Sequence, residues 1–284
     1  MIAFRYSVPP EWYSGVYQDV KMPCKAGRSF SLLHEGGSGK AVLMIHGYAG
    51  YPGELVRPAR DLYEKGFDIY VPRLPGCGTS GSDFARSRRS DWIRTAVNAL
   101  NDLTGRYEEV SVLGHSMGAA VAVMATSAVP VKKLVLAAPA VGYPGMRPPK
   151  PLPVMYAYSL IRKRIPTPWH HQSEYVMYYE DAPADDDYLG GEYWSWVYIR
   201  QLYELYALML EAEAVMKKET ADILAISCGK DQIVGDKSSL YISSAGSGRR
   251  VHVDIPECTH FLFYDPDKKG EEKGVQAVID FLAS

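Results

Sequence analysis

Apolar and polar positions follow two rhythms along this chain. Ala41-Val-Leu-Met-Ile45 is an unbroken apolar run, which predicts a strand buried on both faces. His46-Gly-Tyr-Ala-Gly50 interrupts it. From Gly53 onward Leu55, Ala59, Leu62 and Tyr63 recur at helical spacing, and Gly66 is placed to stop that helix. Residues 67–71 read as the next strand, and 72–89 as a loop rich in Gly, Pro and Ser. Ser90 is placed to cap a helix with Ile93, Val97, Leu100 and Thr104 on its inner face and Gly105 at its end. Strands follow over 110–113, 133–138, 223–226 and 250–255. A small-residue helix begins at Ala119, and a final amphipathic helix carries Val275, Val278, Ile279 and Leu282. Strand alternating with helix predicts an α/β fold, a mostly parallel central sheet with helices on both faces.

The rhythm fails between residues 141 and 220. Pro144, Pro148, Pro149, Pro151 and Pro153 open that stretch, so it begins as a loop. It holds 11 of the 21 tyrosines and 3 of the 5 tryptophans, and closes on a long helical pattern over 194–218. The division expected is a core over 1–140 and 221–284, interrupted by an aromatic-rich cap over 141–220. The acidic run Asp181, Asp185, Asp186 and Asp187 within it reads as a solvated loop.

Gly114-His115-Ser116-Met117-Gly118 joins a strand to the small-residue helix. A serine on so sharp a turn has its Oγ pushed clear of the backbone, and glycines two positions either side leave room for the strain. Gly-x-Ser-x-Gly arises by accident in about one chain in ten of this length, so the flanking strand and helix give it its weight. A serine nucleophile needs a base and a carboxylate to orient that base. Asp231 stands just past the 223–226 strand and His260 just past the 250–255 strand, in the order this sheet demands. Asp236 and Asp254 are the other acids available. His252, His170, His171 and His34 lack a strand-end position. The Met117 amide, at a helix N-terminus, and the Tyr48 amide, in the loop His46-Gly47 opens, can face one oxyanion. His46 would hold that loop by hydrogen bonding, and His115 would be structural or line the pocket.

Composition narrows the classes. The formal charge of −2, without a basic run or a zinc-type Cys/His cluster, gives no reason to expect nucleic acid or a metal. Cys24, Cys77, Cys228 and Cys258 form no CxxC and read as idle thiols of a reducing compartment. With no apolar run of 18 residues and no signal-type start, a cytoplasmic protein without stable membrane insertion is the expectation.

His46-Gly-Tyr-Ala-Gly50, Pro72-Arg-Leu-Pro-Gly-Cys-Gly-Thr-Ser80 and Gly114-His-Ser-Met-Gly118 resemble the α/β-hydrolase superfamily, in its monoacylglycerol lipase, carboxylesterase and cinnamoyl or feruloyl esterase branch. The resemblance covers nearly the whole chain. It implies a serine esterase without cofactor, acting on a small-molecule ester through an acyl-enzyme. Ser116 would be nucleophile, His260 base, Asp231 orienting acid, and the Tyr48 and Met117 amides the oxyanion hole. Relatives often carry His where Cys77 stands and Gly where Ala119 stands. Thioesterase, amidase, peptidase or acyltransferase chemistry could run on the same residues, as could carbon–carbon bond hydrolysis. A non-catalytic receptor is a further alternative. An aspartate at position 116 would be needed for dehalogenation.

Overall fold

Seven strands form the central sheet: β1 (Phe30–Leu32), β2 (Lys40–Ile45), β3 (Asp68–Val71), β4 (Glu109–His115), β5 (Lys133–Ala137), β8 (Asp222–Cys228) and β9 (Arg250–Ile255). The computed structural model of the chain describes residues 2–170 and 183–284. Strand order is β1-β3-β2-β4-β5-β8-β9, and every pairing is parallel except that of β1 with β3. Past a charged first residue the inner strands are mostly apolar and buried, because both their faces are covered. Helices α1 (Val56–Glu64), α3 (Arg89–Arg106), α4 (Met117–Ala128) and α9 (Lys268–Ala283) form the covering layers, with short α2 (Gly81–Phe84) and α8 (Lys237–Ile242) in the loops.

The stretch between β5 and β8 carries α5 (Leu152–Ile161), β6 (Arg164–Pro166), α6 (Pro183–Tyr193), β7 (Trp196–Tyr198) and α7 (Ile199–Met216). β6 and β7 pair as a separate antiparallel ribbon. The long helical pattern read over 194–218 is therefore a ribbon strand followed by α7, which lies against α4 and α5. Ser90 does not cap α3. The helix begins two residues earlier than that cap implies, with the Arg88 amide donating to Asp91 Oδ2 at 2.8 Å, and Gly105 lies inside its last turn. All four cysteines are free thiols, three buried and Cys24 half-buried. Among the described residues no helix is long and apolar enough to cross a membrane, and no group of three His, Cys, Asp or Glu side chains could hold a metal ion.

Candidate active site

Ser116 sits between the end of β4 and the start of α4 with φ 54° and ψ −120°, a backbone conformation costly for any residue with a Cβ. Its surroundings over-determine that geometry. The Ser116 amide donates to the Ala137 carbonyl at 3.0 Å, and its own carbonyl accepts from the amides of Ala119 and Ala140. The flanking glycines are steric requirements. A Cβ on Gly114 would lie 2.3 Å from the Gly118 carbonyl oxygen, and one on Gly118 would lie 2.1 Å from that of Ile45.

The loops after β8 and β9 bring Asp231 and His260 to this turn. His260 Nε2 is 2.8 Å from Ser116 Oγ, and His260 Nδ1 is 2.7 Å from Asp231 Oδ2. A carboxylate can only accept, so the imidazole proton sits on Nδ1, and Nε2 is left to accept from the serine hydroxyl. Asp231 Oδ1 accepts from the Ile233 and Val234 amides at 2.7 and 3.0 Å. Burial pushes the Asp231 carboxyl up, but the His260 hydrogen bond and these amides outweigh it and hold it below its ordinary value. His260 is 5% exposed, and burial together with the nearby His115 charge lowers its pKa against the raising effect of Asp231. Asp236 and Asp254 make no contact with His260. Asp254 instead accepts from Ser227, which also meets His252.

The loop after β2 closes the other side of the serine. A Cβ on Gly47 would stand 3.3 Å from Ser116 Cβ, so the loop backbone lies directly on the turn. His46 is buried and neutral, its pKa pushed down to about 4 by burial. Its Nε2 accepts from the Leu74 amide at 3.0 Å, which leaves Nδ1–H to donate to the Gly47 carbonyl at 3.1 Å. The Tyr48 amide has no acceptor among the described residues, and the Met117 amide is at the first position of α4, where no carbonyl one turn back exists for it.

Glu54, which carries no sequence signal beyond an acid near a helix start, completes the floor. It is 3% exposed, accepts the Gly47 amide on Oε1, and places the same oxygen 3.4 Å from His115 Nδ1. His115 Nε2 is 3.0 Å from the carbonyl oxygen of His260. Both partners of His115 are acceptors, so satisfying both requires two N–H donors, which only the imidazolium has. Burial disfavours that charge, yet the Glu54 carboxylate and the His260 carbonyl raise the His115 pKa above its ordinary value. The same ion pair, with the His46 and Gly47 contacts, holds Glu54 below its ordinary value against its burial.

A cavity of about 690 Å³ opens above Ser116. Tyr51, Phe261 and Tyr264 line it from the core; Tyr143, Trp169, Trp194, Tyr206 and Met209 line it from the stretch between β5 and β8. The acidic run is not a solvated loop where it is described. Asp185 and Asp186 lie in α6, where Asp185 accepts the Ala26 amide at 2.9 Å and Asp186 accepts the Tyr51 hydroxyl. Tyr188, Glu192 and Tyr193 bond the 76–81 backbone from the same helix. Asp181 and His171 lie outside the described residues.

A chain from work on two metagenome-derived lipolytic enzymes, LipS and LipT, superposes with a TM-score of 0.73 at 20% identity, over 91% of this chain and 99% of that one. Est1E from Butyrivibrio proteoclasticus with ferulic acid bound superposes with a TM-score of 0.63 at 16% identity, over 93% and 98%. In sequence, a thermostable monoacylglycerol lipase of Bacillus sp. (strain H-257) is 36% identical over 78 residues, 27% of this chain and 31% of that lipase. The matched regions span between 26% and 42% of the curated relatives' lengths. The profile of the alpha/beta hydrolase family matches residues 42–269, which takes in the sheet from β2 to β9, the serine turn and all three residues of the relay. The chain belongs to the alpha/beta hydrolase family.

Proposed function

We propose that the protein is a serine hydrolase of carboxylic esters, with Ser116 as nucleophile, His260 as base and Asp231 as the acid that orients it. The observation that carries this reading is the continuous Asp231–His260–Ser116 relay at 2.7 and 2.8 Å beneath an aromatic-lined cavity. Ser116 Oγ attacks the ester carbonyl as His260 Nε2 takes its proton. The carbonyl π electrons move to oxygen, and the Tyr48 and Met117 amides stabilise that oxyanion. Collapse expels the alcohol, which takes the proton from His260 and leaves an acyl-serine. Water repeats the sequence, releasing the acid and restoring the hydroxyl. Every proton and charge in this cycle is handled by these side chains and amides.

Residues 141–220 act in this reading as an inserted cap. The aromatic rings it shares with the core suit an apolar acyl or aryl group. The similarity to a monoacylglycerol lipase supports acylglycerols, and the fold shared with a ferulic acid complex supports aryl esters. Initial rates on p-nitrophenyl esters from acetate to palmitate, with a hydroxycinnamate ester alongside, test the reading. Cleavage strongest at medium or long chains assigns a lipase-like esterase, and preference for the hydroxycinnamate assigns phenolic esters. Absence of release from every ester sinks the proposal.

The lowered His260 pKa sets the pH dependence. Because the base must be neutral, kcat/KM stays level at neutral pH and falls on acidification with a midpoint below the ordinary histidine value of 6.5. Asp231, held low, adds no limb in that range. A pH–rate profile whose acid limb is centred above 7 contradicts the assignment of His260.

A further inference from the structure

A second cavity, of about 580 Å³, shares no lining residue with the first. It lies among α2, the end of α5, the β6–β7 ribbon and the start of α7. Arg86, Arg88, Lys163, Arg164 and Arg200 line it, and among the described residues no carboxylate does. The acids around it are already committed. Glu204 is buried and serves Arg89, Arg200 and, at 3.9 Å, Arg88, while Glu211 serves Arg89 again. Among the described residues no carboxylate comes within 4.0 Å of Arg86, Lys163 or Arg164. Burial, and after it the like charge of Arg200, depress the Arg88 pKa despite Glu204 and Asp91.

Gln201 adds an independent constraint. It lines the cavity, is 1% exposed, and donates Nε2–H to the Ser87 carbonyl at 3.1 Å. That carbonyl can only accept, so the amide orientation is fixed and Oε1 faces away from it. Gln201 Oε1 is buried and has no donor among the described residues. The cavity thus offers several cationic donors, and the orphaned Oε1 acceptor lies covered in its wall, open to a hydroxyl only when the lining shifts. On its rim α5 exposes Leu160 at 69%, and the next residue, Ile161, is 86% exposed.

We propose that this cavity binds a hydroxylated phosphate ester of the glycerophosphate type, its phosphate held by Arg86, Lys163, Arg164 and Arg200 and a hydroxyl donating to Gln201 Oε1. A phosphate presents several acceptor oxygens on one anionic centre and suits a group of guanidinium and ammonium donors better than a single carboxylate does. The volume exceeds that of phosphate alone and leaves room for the skeleton bearing the hydroxyl. Free glycerol phosphate and the headgroup of an anionic lipid share this chemistry, and the exposed ridge of α5 would carry the acyl part of the latter.

Calorimetric titration of the intact protein with sn-glycerol 3-phosphate and with inorganic phosphate tests the site. Flotation with phosphatidylcholine vesicles, with and without phosphatidylglycerol, separates the two sources. Lys163→Glu, an exposed change that leaves the fold alone, weakens binding by at least about tenfold. Lys150→Glu, the same charge change before the other end of α5, leaves it intact. Gln201→Met weakens glycerol phosphate but not inorganic phosphate, and the retained phosphate binding reports an intact pocket. Saturable binding of the soluble ester assigns a free ligand, and binding confined to the phosphatidylglycerol vesicles assigns a lipid headgroup. Saturable binding to neither, or equal losses in Lys163→Glu and Lys150→Glu, overturns the proposal. Equal affinity for phosphate and glycerol phosphate overturns the hydroxyl contact.

Discussion

Ser116→Ala stops ester turnover, with kcat falling by about ten-thousand- to a million-fold while the protein stays folded and binds uncleaved ester. The size follows from the relay acting as a unit. Without Oγ no acyl-enzyme forms, and His260 and the oxyanion donors support only the small residual rate of a positioned water. The fold survives because the substitution touches little else. Alanine at φ 54° is no more strained than serine there, and the amide and carbonyl bonds of residue 116 to residues 137, 119 and 140 do not involve its side chain. The stability change is the one hydrogen bond to His260, about 1 kcal/mol. Single-turnover assays with circular dichroism and equilibrium binding of the uncleaved ester check all three parts. A variant retaining more than about 1% of the rate would remove Ser116 from the chemistry.

Glu54→Gln produces the second large loss. Its carboxylate meets the loop of the proposed oxyanion donor through the Gly47 amide and, through His115, the backbone of His260, the proposed base. Glutamine preserves its size but removes the charge that keeps His115 protonated. Neutral His115 has one N–H for two acceptors, so either the tie to residue 54 or the tie to the His260 carbonyl is lost. A misplaced oxyanion donor costs about a hundredfold in kcat, and breaking a buried ion pair about 3–5 kcal/mol of stability. The pH window has a definite sign. Glu54, with its folded pKa depressed, contributes stability above its unfolded value near 4.3 and loses it as pH falls through the folded one. His115, with its folded pKa raised, contributes stability fully below about 6.5 and loses it as pH rises through the folded one. The difference in thermal stability between wild type and Glu54→Gln is therefore largest between about pH 4.3 and 6.5. Matching melting curves and kcat across that range would show that the pair has no positioning role. Rescue by Glu54→Asp, which keeps the charge, separates a positioning effect from loss of fold.

The parts of this molecule that local chemistry encodes were open to reading from the sequence. β2 announces itself as an unbroken apolar run, and the other inner parallel strands as short apolar stretches, because the sheet is covered on both faces. The serine turn is legible because its strain demands glycines at fixed offsets, and Asp231 and His260 because a parallel sheet puts loop residues at one edge. What stayed hidden depends on partners far away in the chain. Glu54 meets His115 across 61 residues, and an acid beside a helix start reads equally well as a residue complementing the helix dipole. Asp185 and Asp186 look like solvated charges until Ala26 and Tyr51 reach them across more than a hundred residues. Three-residue β1, β6 and β7 are too short to show a period, and aromatic residues suit ribbon and helix alike. At α3 the serine was the better cap by propensity, but Asp91 reaching back to the Arg88 amide sets the start two residues earlier.

The strands that bracket the inserted stretch are immediate neighbours in the sheet, Lys133 opposite Asp222 through Ala137 opposite Ile226. Whatever the chain does between them, it leaves and re-enters the sheet at adjacent positions. Ser116 precedes that interval, and Asp231 and His260 follow it. Natural selection could therefore rebuild the roof of the cavity, lengthening it, shortening it or exchanging its aromatic rings, with the reacting groups left where they are. In such an architecture what the cavity accepts can change while Ser116, Asp231 and His260 keep their places.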